Sequence, residues 1–335
     1  MEGSRQMNEN EMIIKTDKLT RQFGLVVAVN NLDLEIKKGE IFGLVGPDGA
    51  GKTTTMRLLS AIMGPTAGNA TIAGFNLRQQ PEPIKEHIGY MAQQFALYGD
   101  LTVLENINFF ADVFGVRGKK RAERTERLLE FARLTEFTNR PAGRLSGGMK
   151  KKLGLACALI HEPTILYLDE PTTGVDPVSR REFWDILANL HVEGTSILVS
   201  TPYMDEAERC SRVGLMYGGR LVEQGTPNQI KRLIQGQLIE FRPESDQIHG
   251  VGLLRQANRL LATQEGVLEV QTYGDLIHLF VDNIAHRRLQ LETALAAEQI
   301  NMTDFRQTIP RMEDAFISLI SKMDGEKLSK EVSHQ

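Results

Sequence analysis

Over the first seventy positions the apolar residues come in short bursts separated by glycine and charged turns: Met12 to Ile14, Val26 to Val29, Leu32 to Ile36 and Ile41 to Val45. Bursts of this length and composition predict strands. The period then changes. From Thr53 to Met63 the apolar positions Met56, Leu59 and Met63 recur at helical spacing, directly after a glycine-rich turn. From Leu101 to Glu136 the pattern is helical and more polar, with Gly115 to Arg124 as a basic, glycine-containing connection inside it. This stretch predicts a helical subdomain, about 95–160, inserted into the sheet. Continuous apolar runs return at Thr164 to Leu168 and Ser196 to Ser200, as expected of parallel strands buried on both faces. Helices are predicted from Ser179 and Asp205, and a hairpin, Val213 to Met216 and Arg220 to Glu223, closes the unit near Lys231.

The remainder predicts a second unit. Strand Gln237 to Phe241, helix Val251 to Ala262, strands Val267 to Thr272 and Leu276 to Val281, helix Asn283 to Glu298 and strand Met302 to Gln307 follow one another. That βαββαβ order is compatible with a ferredoxin-like sandwich. After Pro310, an apolar face of Met312, Ala315, Phe316, Leu319 and Ile320 predicts a closing amphipathic helix. The expected organisation is an α/β domain over 1–235, a small α+β domain over 236–323 and a disordered tail over 324–335. No titratable cluster is read in the small domain. Its expected role is regulatory or dimer-stabilising.

Composition narrows the function classes. With 39 basic and 43 acidic side chains the formal net charge is -4, so no global field attracts a polyanion and nucleic acid is not an expected partner. The two cysteines, Cys157 and Cys210, have no second thiol at metal spacing and are expected to be buried and reduced, as in a cytoplasmic protein. Met1 to Met12 is polar and predicts no signal peptide. No apolar run approaches the ~18 residues of a spanning helix.

Two motifs carry chemistry. Gly46, Pro47, Asp48, Gly49, Ala50, Gly51, Lys52 and Thr53 fill the G-x-x-x-x-G-K-[ST] pattern between a predicted strand and a predicted helix. The glycines let backbone N–H groups turn in on a β-phosphate at a helix N-terminus. Lys52 is then expected to reach the β- and γ-phosphates, and Thr53 to offer its hydroxyl to Mg²⁺. Downstream, the apolar strand Ile165 to Leu168 ends in Asp169 and Glu170. Asp169 is expected to hold the Mg²⁺ water shell, and Glu170 to orient or deprotonate an attacking water.

Leu145, Ser146, Gly147, Gly148 and Met149 precede a helical run and lie upstream of the paired acids. With this LSGG element the sequence resembles an ABC ATPase over about Met12 to Lys231, and the fold implied is a P-loop ABC nucleotide-binding domain with an inserted helical subdomain. The resemblance implies that two such domains, alike or different, sandwich ATP. Ser146, Gly147 and Gly148 would contact the γ-phosphate held by the other's loop. It further implies ATP contacts by Ala50 and Thr54 alongside the rest of the loop, adenine stacking on Phe23, and Mg²⁺ sensing and a face toward the membrane subunit at Gln93. Lys52, Glu170 and Gln93 would be the catalytic set, and Gly174, Val175 and Asp176 the loop that crosses the dimer interface. Tyr203 to Cys210 and Arg311 to Ile320 look like the ATPases of ABC-2-type and multidrug exporters. The implied partners are a second ATPase domain and membrane permease subunits, with this chain peripheral on the inner face of the cell membrane.

Three positions depart from the pattern. Pro202 stands where the family usually has a histidine that donates to the γ-phosphate, and proline offers neither a side-chain donor nor an N–H. Asp48 puts a carboxylate where asparagine is frequent; it either points away from the triphosphate or is a solvated loop residue. Lys150, Lys151 and Lys152 replace a more mixed run, as a solvated face or as neighbours of polyphosphate. Two readings stand beside the transporter motor: a non-transport soluble ABC ATPase, and a regulatory subunit whose own site is slow.

Overall fold

The computed structural model describes residues 11–94 and 97–332, with side chains to 323. Positions 1–10, most of the stretch that predicts no signal peptide, lie outside it, as do the first two positions of the predicted helical subdomain. The chain divides into two compact units, Met1–Thr226 and Pro227–Gln335. The division falls nine residues before the expected 235/236 boundary, because the short helix Pro227–Lys231 packs with the closing helix of the second unit.

In the first unit a six-stranded sheet runs in the order Arg220–Gly225, Arg212–Tyr217, Ile41–Val45, Ser196–Thr201, Ile165–Asp169, Ile88–Met91. All pairings are parallel except the hairpin at the first edge. Every residue of Ile41–Val45, Ile165–Asp169 and Ser196–Thr201 is buried, which accounts for the apolar runs Ile41 to Val45, Ile165 to Leu168 and Ile197 to Val199. Parallel strands all end at one edge of a sheet. The segments that follow Val45, Met91, Asp169 and Thr201 are thus brought to one place, where open α/β sheets bind ligands.

An antiparallel sheet covers this core, built on the strand Met12–Phe23, which pairs with Val26–Leu32, Glu35–Lys37 and Ala67–Ile72. The burst Leu32 to Ile36 is therefore not one strand, and Ala67–Ile72 is a strand the apolar pattern does not single out. Helices Val103–Val113, Gly118–Phe131 and Gly147–Leu159 pack on one another as the helical subdomain. The predicted connection Gly115 to Arg124 is helical from Gly118. Its long charged side chains are good helix formers, and Thr125, Leu128 and Leu129 supply a buried stripe.

The strands of the second unit lie in the order Val267–Tyr273, Leu276–Val281, Gln237–Glu244, Asn301–Thr308, all antiparallel. In chain order that is 2-3-1-4, the ferredoxin-like arrangement. Helices Gly250–Ala262 and Ile284–Ala297 contribute Leu253, Leu261, Leu291 and Leu295 to a core with Ile239 and Phe241 of the sheet. The helix Met312–Val332 continues through positions where the composition predicts disorder, because extending a formed helix is easier than nucleating one. Residues 333–335 lie outside the described residues.

This unit does hold a titratable cluster, against expectation. His278 is buried between Asp314, whose Oδ1 is 2.6 Å from Nδ1, and Glu240, whose Oε2 is 3.0 Å from Nε2. Arg306 pairs with the other Glu240 oxygen, and Arg311 lies 3.5 Å from Oε2. The three central residues are separated by more than thirty positions in sequence. The sheet register sets Glu240 opposite His278, and the helix Met312–Val332 brings Asp314 to the other side of the imidazole.

Among the described residues no helix is long and apolar enough to cross a membrane. Cys157 and Cys210 are free and buried, and burial pushes both thiols up, so neither is a ready thiolate.

Candidate nucleotide-binding site

The phosphate loop leaves the buried strand Ile41–Val45 and enters the helix Lys52–Leu59. Gly46 donates its N–H to Thr201 O at 3.3 Å, and Ala50 to Pro47 O at 3.2 Å. The glycines are required on steric grounds. A Cβ on Gly46 would stand 2.2 Å from Met216 O, and one on Gly51 2.3 Å from Ala28 O. Gly51, the N-cap of the helix, is also left-handed at φ 102°, where L side chains are strained. The resulting loop presents N–H groups at a helix N-terminus, an anion-binding arrangement. Asp48 is exposed on it, as the solvated reading expects, while Ala50 is buried and Thr54 half-buried.

The ionisable groups converge at this edge. Lys52 Nζ donates to Gly46 O at 2.8 Å and Pro47 O at 3.0 Å, and lies 3.4 Å from Glu170 Oε1. Gln93 Nε2 donates to Glu170 Oε2 at 2.7 Å, and Thr173 Oγ1 to the same oxygen at 3.3 Å. Thr53 Oγ1 donates to Asp169 Oδ1 at 3.1 Å. Thr53 and Asp169 thus present two oxygens of the kind that would hold a hard cation such as Mg²⁺. Of the predicted residues, Lys52 and Gln93 therefore meet on Glu170 and Thr53 on Asp169, the two sets joined through the adjacency of the two acids.

Phe23 and the LSGG element lie apart from that group. Phe23 ends its strand, exposed, with the Arg21 guanidinium 4.6 Å from its ring centre. The adjoining strand Val26–Leu32 reaches the loop through Ala28, whose carbonyl closes on Gly51. Ser146 caps the helix Gly147–Leu159, its Oγ accepting the Met149 N–H at 3.3 Å. Gly148 packs tightly on Ser179, and the nearest neighbour of Gly147 is Gly174 O, 3.8 Å from a Cβ built there. The LSGG glycines are therefore in contact with the segment Gly174 to Ser179. Asp176 caps the helix Pro177–Val192 through the Ser179 N–H, which holds its carboxyl below the usual range.

The lysines after the motif are not one solvated face. Lys152 is buried and paired with Glu182, whose carboxyl it holds down. Lys151 donates to Gln93 O at 2.6 Å, and burial lowers its pKa.

Four contributors escape the motif reading. Tyr90 donates to Asp169 Oδ2 at 3.3 Å, and burial, reinforced by Asp169, pushes its hydroxyl up to about 12. It is therefore a donor throughout the physiological range. Ser200 touches both acids of the site. Thr173 reaches Glu170, as above. Glu206, fully buried, accepts from Thr201 Oγ1 at 2.7 Å and from Thr172, tying the segment after Glu170 to the end of the strand Ser196–Thr201. Each is an ordinary polar residue in sequence, and proximity to a motif is the one signal available.

Comparison with known proteins places this geometry. The family described as ABC transporter matches residues 29–173. The chain is 42% identical over 319 residues to "Probable multidrug ABC transporter ATP-binding protein YbhF" of Escherichia coli, covering 93% of this chain and 52% of that protein, about half its length. It is 31% identical over 325 residues to daunorubicin resistance ATP-binding protein DrrA2 of Streptomyces coeruleorubidus, covering 96% and 98% respectively. An ATP-binding cassette solved as a dimer in a post-hydrolysis state with ADP and Pi superposes with a TM-score of 0.58 at 27% identity, over 64% of this chain and 98% of that one. With a phosphate loop, an LSGG helix and a paired-acid strand along one cassette, and with relatives matched over nearly its whole length, the chain belongs to the ABC transporter ATP-binding proteins.

Proposed function

We propose that this chain binds and hydrolyses MgATP on its Gly46 to Thr53 loop, and that closing and opening of a two-cassette clamp drives export through separate membrane permease subunits. The observation that carries the reading is the convergence beside the loop of Lys52 and Gln93 on Glu170 and of Thr53 on the adjacent Asp169. The loop N–H groups and Lys52 bind the β- and γ-phosphates, Phe23 stacks on the adenine, and Thr53, Asp169 and Gln93 hold the metal. Bound Mg²⁺ neutralises charge on the β- and γ-phosphate oxygens. Glu170 orients or deprotonates the attacking water. Ser146, Gly147 and Gly148 complete the site of a second cassette, identical or not.

Export is favoured by the relatives, two of which are named for multidrug transport and daunorubicin resistance. A place for the permease is favoured by a cleft of about 410 Å³, lined among others by Tyr90, Met91, Phe110 and Phe114, with Gln94 of the Gln93 segment on its wall. Ile62 on that wall is 59% exposed, so an apolar side chain there is open to a partner. This chain then works at the inner face of the membrane. The second unit stabilises the dimer or regulates it, and removing 237–335 would weaken dimerisation or coupling and leave nucleotide binding intact.

The test is ATP hydrolysis by the complex co-purified with its membrane partner, against a Glu170→Gln control. Robust turnover abolished by the substitution is expected; turnover indifferent to it would overturn the assignment. A second reading, a regulatory subunit with a slow site of its own, is favoured by Pro202. Under it the wild-type complex would hydrolyse ATP chiefly at the partner's loop.

A further inference from the structure

One hydroxyl joins the two acids. Ser200, fully buried near the end of the strand Ser196–Thr201, donates from Oγ to Asp169 Oδ1 at 2.6 Å and accepts the Glu170 N–H at 3.0 Å. The direction is fixed by chemistry. A serine has one proton to donate, and an ionised Asp169 can only accept it, so the lone pairs of Ser200 are left for the amide. The register of the two strands sets Asp169 opposite Ser200, so the sheet itself delivers the hydroxyl to this point.

Both bonds act on groups that need them. Glu170 has φ 46°, a left-handed conformation that a non-glycine residue holds only when its surroundings enforce it. Its amide is pinned from two sides, by Ser200 Oγ and by Ser200 O at 3.1 Å. Asp169 in turn has Oδ1 shared between Ser200 and Thr53, and Oδ2 met by Tyr90.

We propose that Ser200 is a positioning residue for the hydrolytic reaction: its hydroxyl sets the Asp169 carboxylate for the Mg²⁺ water shell and anchors the backbone turn that aims Glu170. It acts through these two residues, so the proposal rests on the reading of Asp169 and Glu170 given above. Residues that orient metal ligands in this way typically change metal affinity or activity by about ten- to a hundredfold when altered.

The experiment uses the full chain and compares wild type, Ser200→Ala and the near-isosteric Ser200→Cys, whose thiol fills the same space and donates weakly. A fluorescent ATP analogue is titrated with Mg²⁺ and with EDTA, and turnover of the assembled complex is followed against Mg²⁺ concentration. Both variants should need at least about tenfold more Mg²⁺ and turn over about ten- to a hundredfold more slowly, with nucleotide affinity in EDTA unchanged. Wild-type Mg²⁺ dependence in either variant would overturn the proposal, and so would an equal loss of binding in EDTA, which marks a packing role. A wild-type chain whose affinity ignored Mg²⁺ would instead overturn the assignment of Asp169, and this proposal with it.

Discussion

The Lys52 ammonium lies 3.4 Å from Glu170 Oε1, with both side chains almost wholly buried. In the proposed reading an arriving γ-phosphate therefore competes with Glu170 for Lys52. Glu170→Gln removes the competing charge and leaves Lys52 its two carbonyl acceptors, Gly46 O and Pro47 O. ATP affinity is expected to stay level or rise, while turnover falls about 10²- to 10⁴-fold, the usual worth of a general base. Lys52→Ala is expected to do the reverse to binding, weakening it about ten- to a hundredfold for the loss of a charged hydrogen bond worth roughly 1.5 to 3 kcal/mol. Equilibrium binding of both variants checks the pair. Weakened binding in Glu170→Gln would mean that the ion pair builds the site rather than competing for it.

Pro202 follows the strand whose other end residues, Ser200 and Thr201, are committed to Asp169 and Glu206. Proline at 202 offers no donor to a γ-phosphate. Pro202→His restores a donor, and if the roughly 1.5 to 3 kcal/mol of such a bond is felt in the transition state, turnover rises about ten- to a hundredfold. Steady-state ATPase of the assembled complex reads this directly. An unchanged rate would show that the proline is not what limits this site.

The sequence carried the phosphate loop because its chemistry is local: eight consecutive residues, a strand before and a helix after. The parallel strands were legible for a related reason, since burial on both faces leaves Ile41–Val45 and the middle of Ser196–Thr201, Ile197 to Val199, wholly without polar side chains. What stayed hidden depends on register and approach. Ser200 and Tyr90 are joined to Asp169 across 31 and 79 positions, and nothing local distinguishes them from other hydroxyls. The His278 cluster was missed outright, because its members sit alone on three separate elements. Lys152 looked like one of three solvated lysines until the fold set Glu182 against it.

Gly51 tests the steric account of the loop. Gly51→Ala must place a methyl 2.3 Å from Ala28 O while holding φ near 102°. The left-handed backbone alone costs ~1–2 kcal/mol, and the overlap adds to it, so the midpoint of the first unit should fall by at least ~2–4 °C. Trp184 is the single tryptophan and lies in that unit, so its fluorescence during heating isolates the transition. Gly49→Ala has open space around its Cβ and φ 78°; it should show the backbone cost without the overlap. Equal losses in the two variants would remove the steric argument.

The second unit should depend on pH through His278. The Asp314 hydrogen bond, helped by Glu240 and outweighing burial, raises its pKa, so the folded state holds the proton more tightly than the unfolded chain. The charges facing the imidazole are the carboxylates of Asp314 and Glu240; Arg306 and Arg311 meet Glu240 from outside, Tyr273 stacks on the ring, and Glu269 lies nearby, bonded to Ser318 and Gln271. Stabilisation from the raised group is complete below its unfolded value of about 6.5 and is lost as pH climbs through the folded value. Glu240 has the opposite sign. Burial opposes its ionisation, but Arg306 and His278 prevail and depress its pKa, so its share is lost on acidification below about 4.3. The second unit is expected to be most stable between those limits and to weaken above about pH 6.5. Amide exchange in the strand Gln237–Glu244, which carries Glu240, measures this in the full chain. His278→Gln should abolish the alkaline limb and, by leaving buried Asp314 without its cation while Glu240 keeps Arg306 and Arg311, destabilise the unit by roughly 3 to 5 kcal/mol. An exchange profile flat from pH 6 to 9 in the wild type would mean that His278 is neutral in the folded chain.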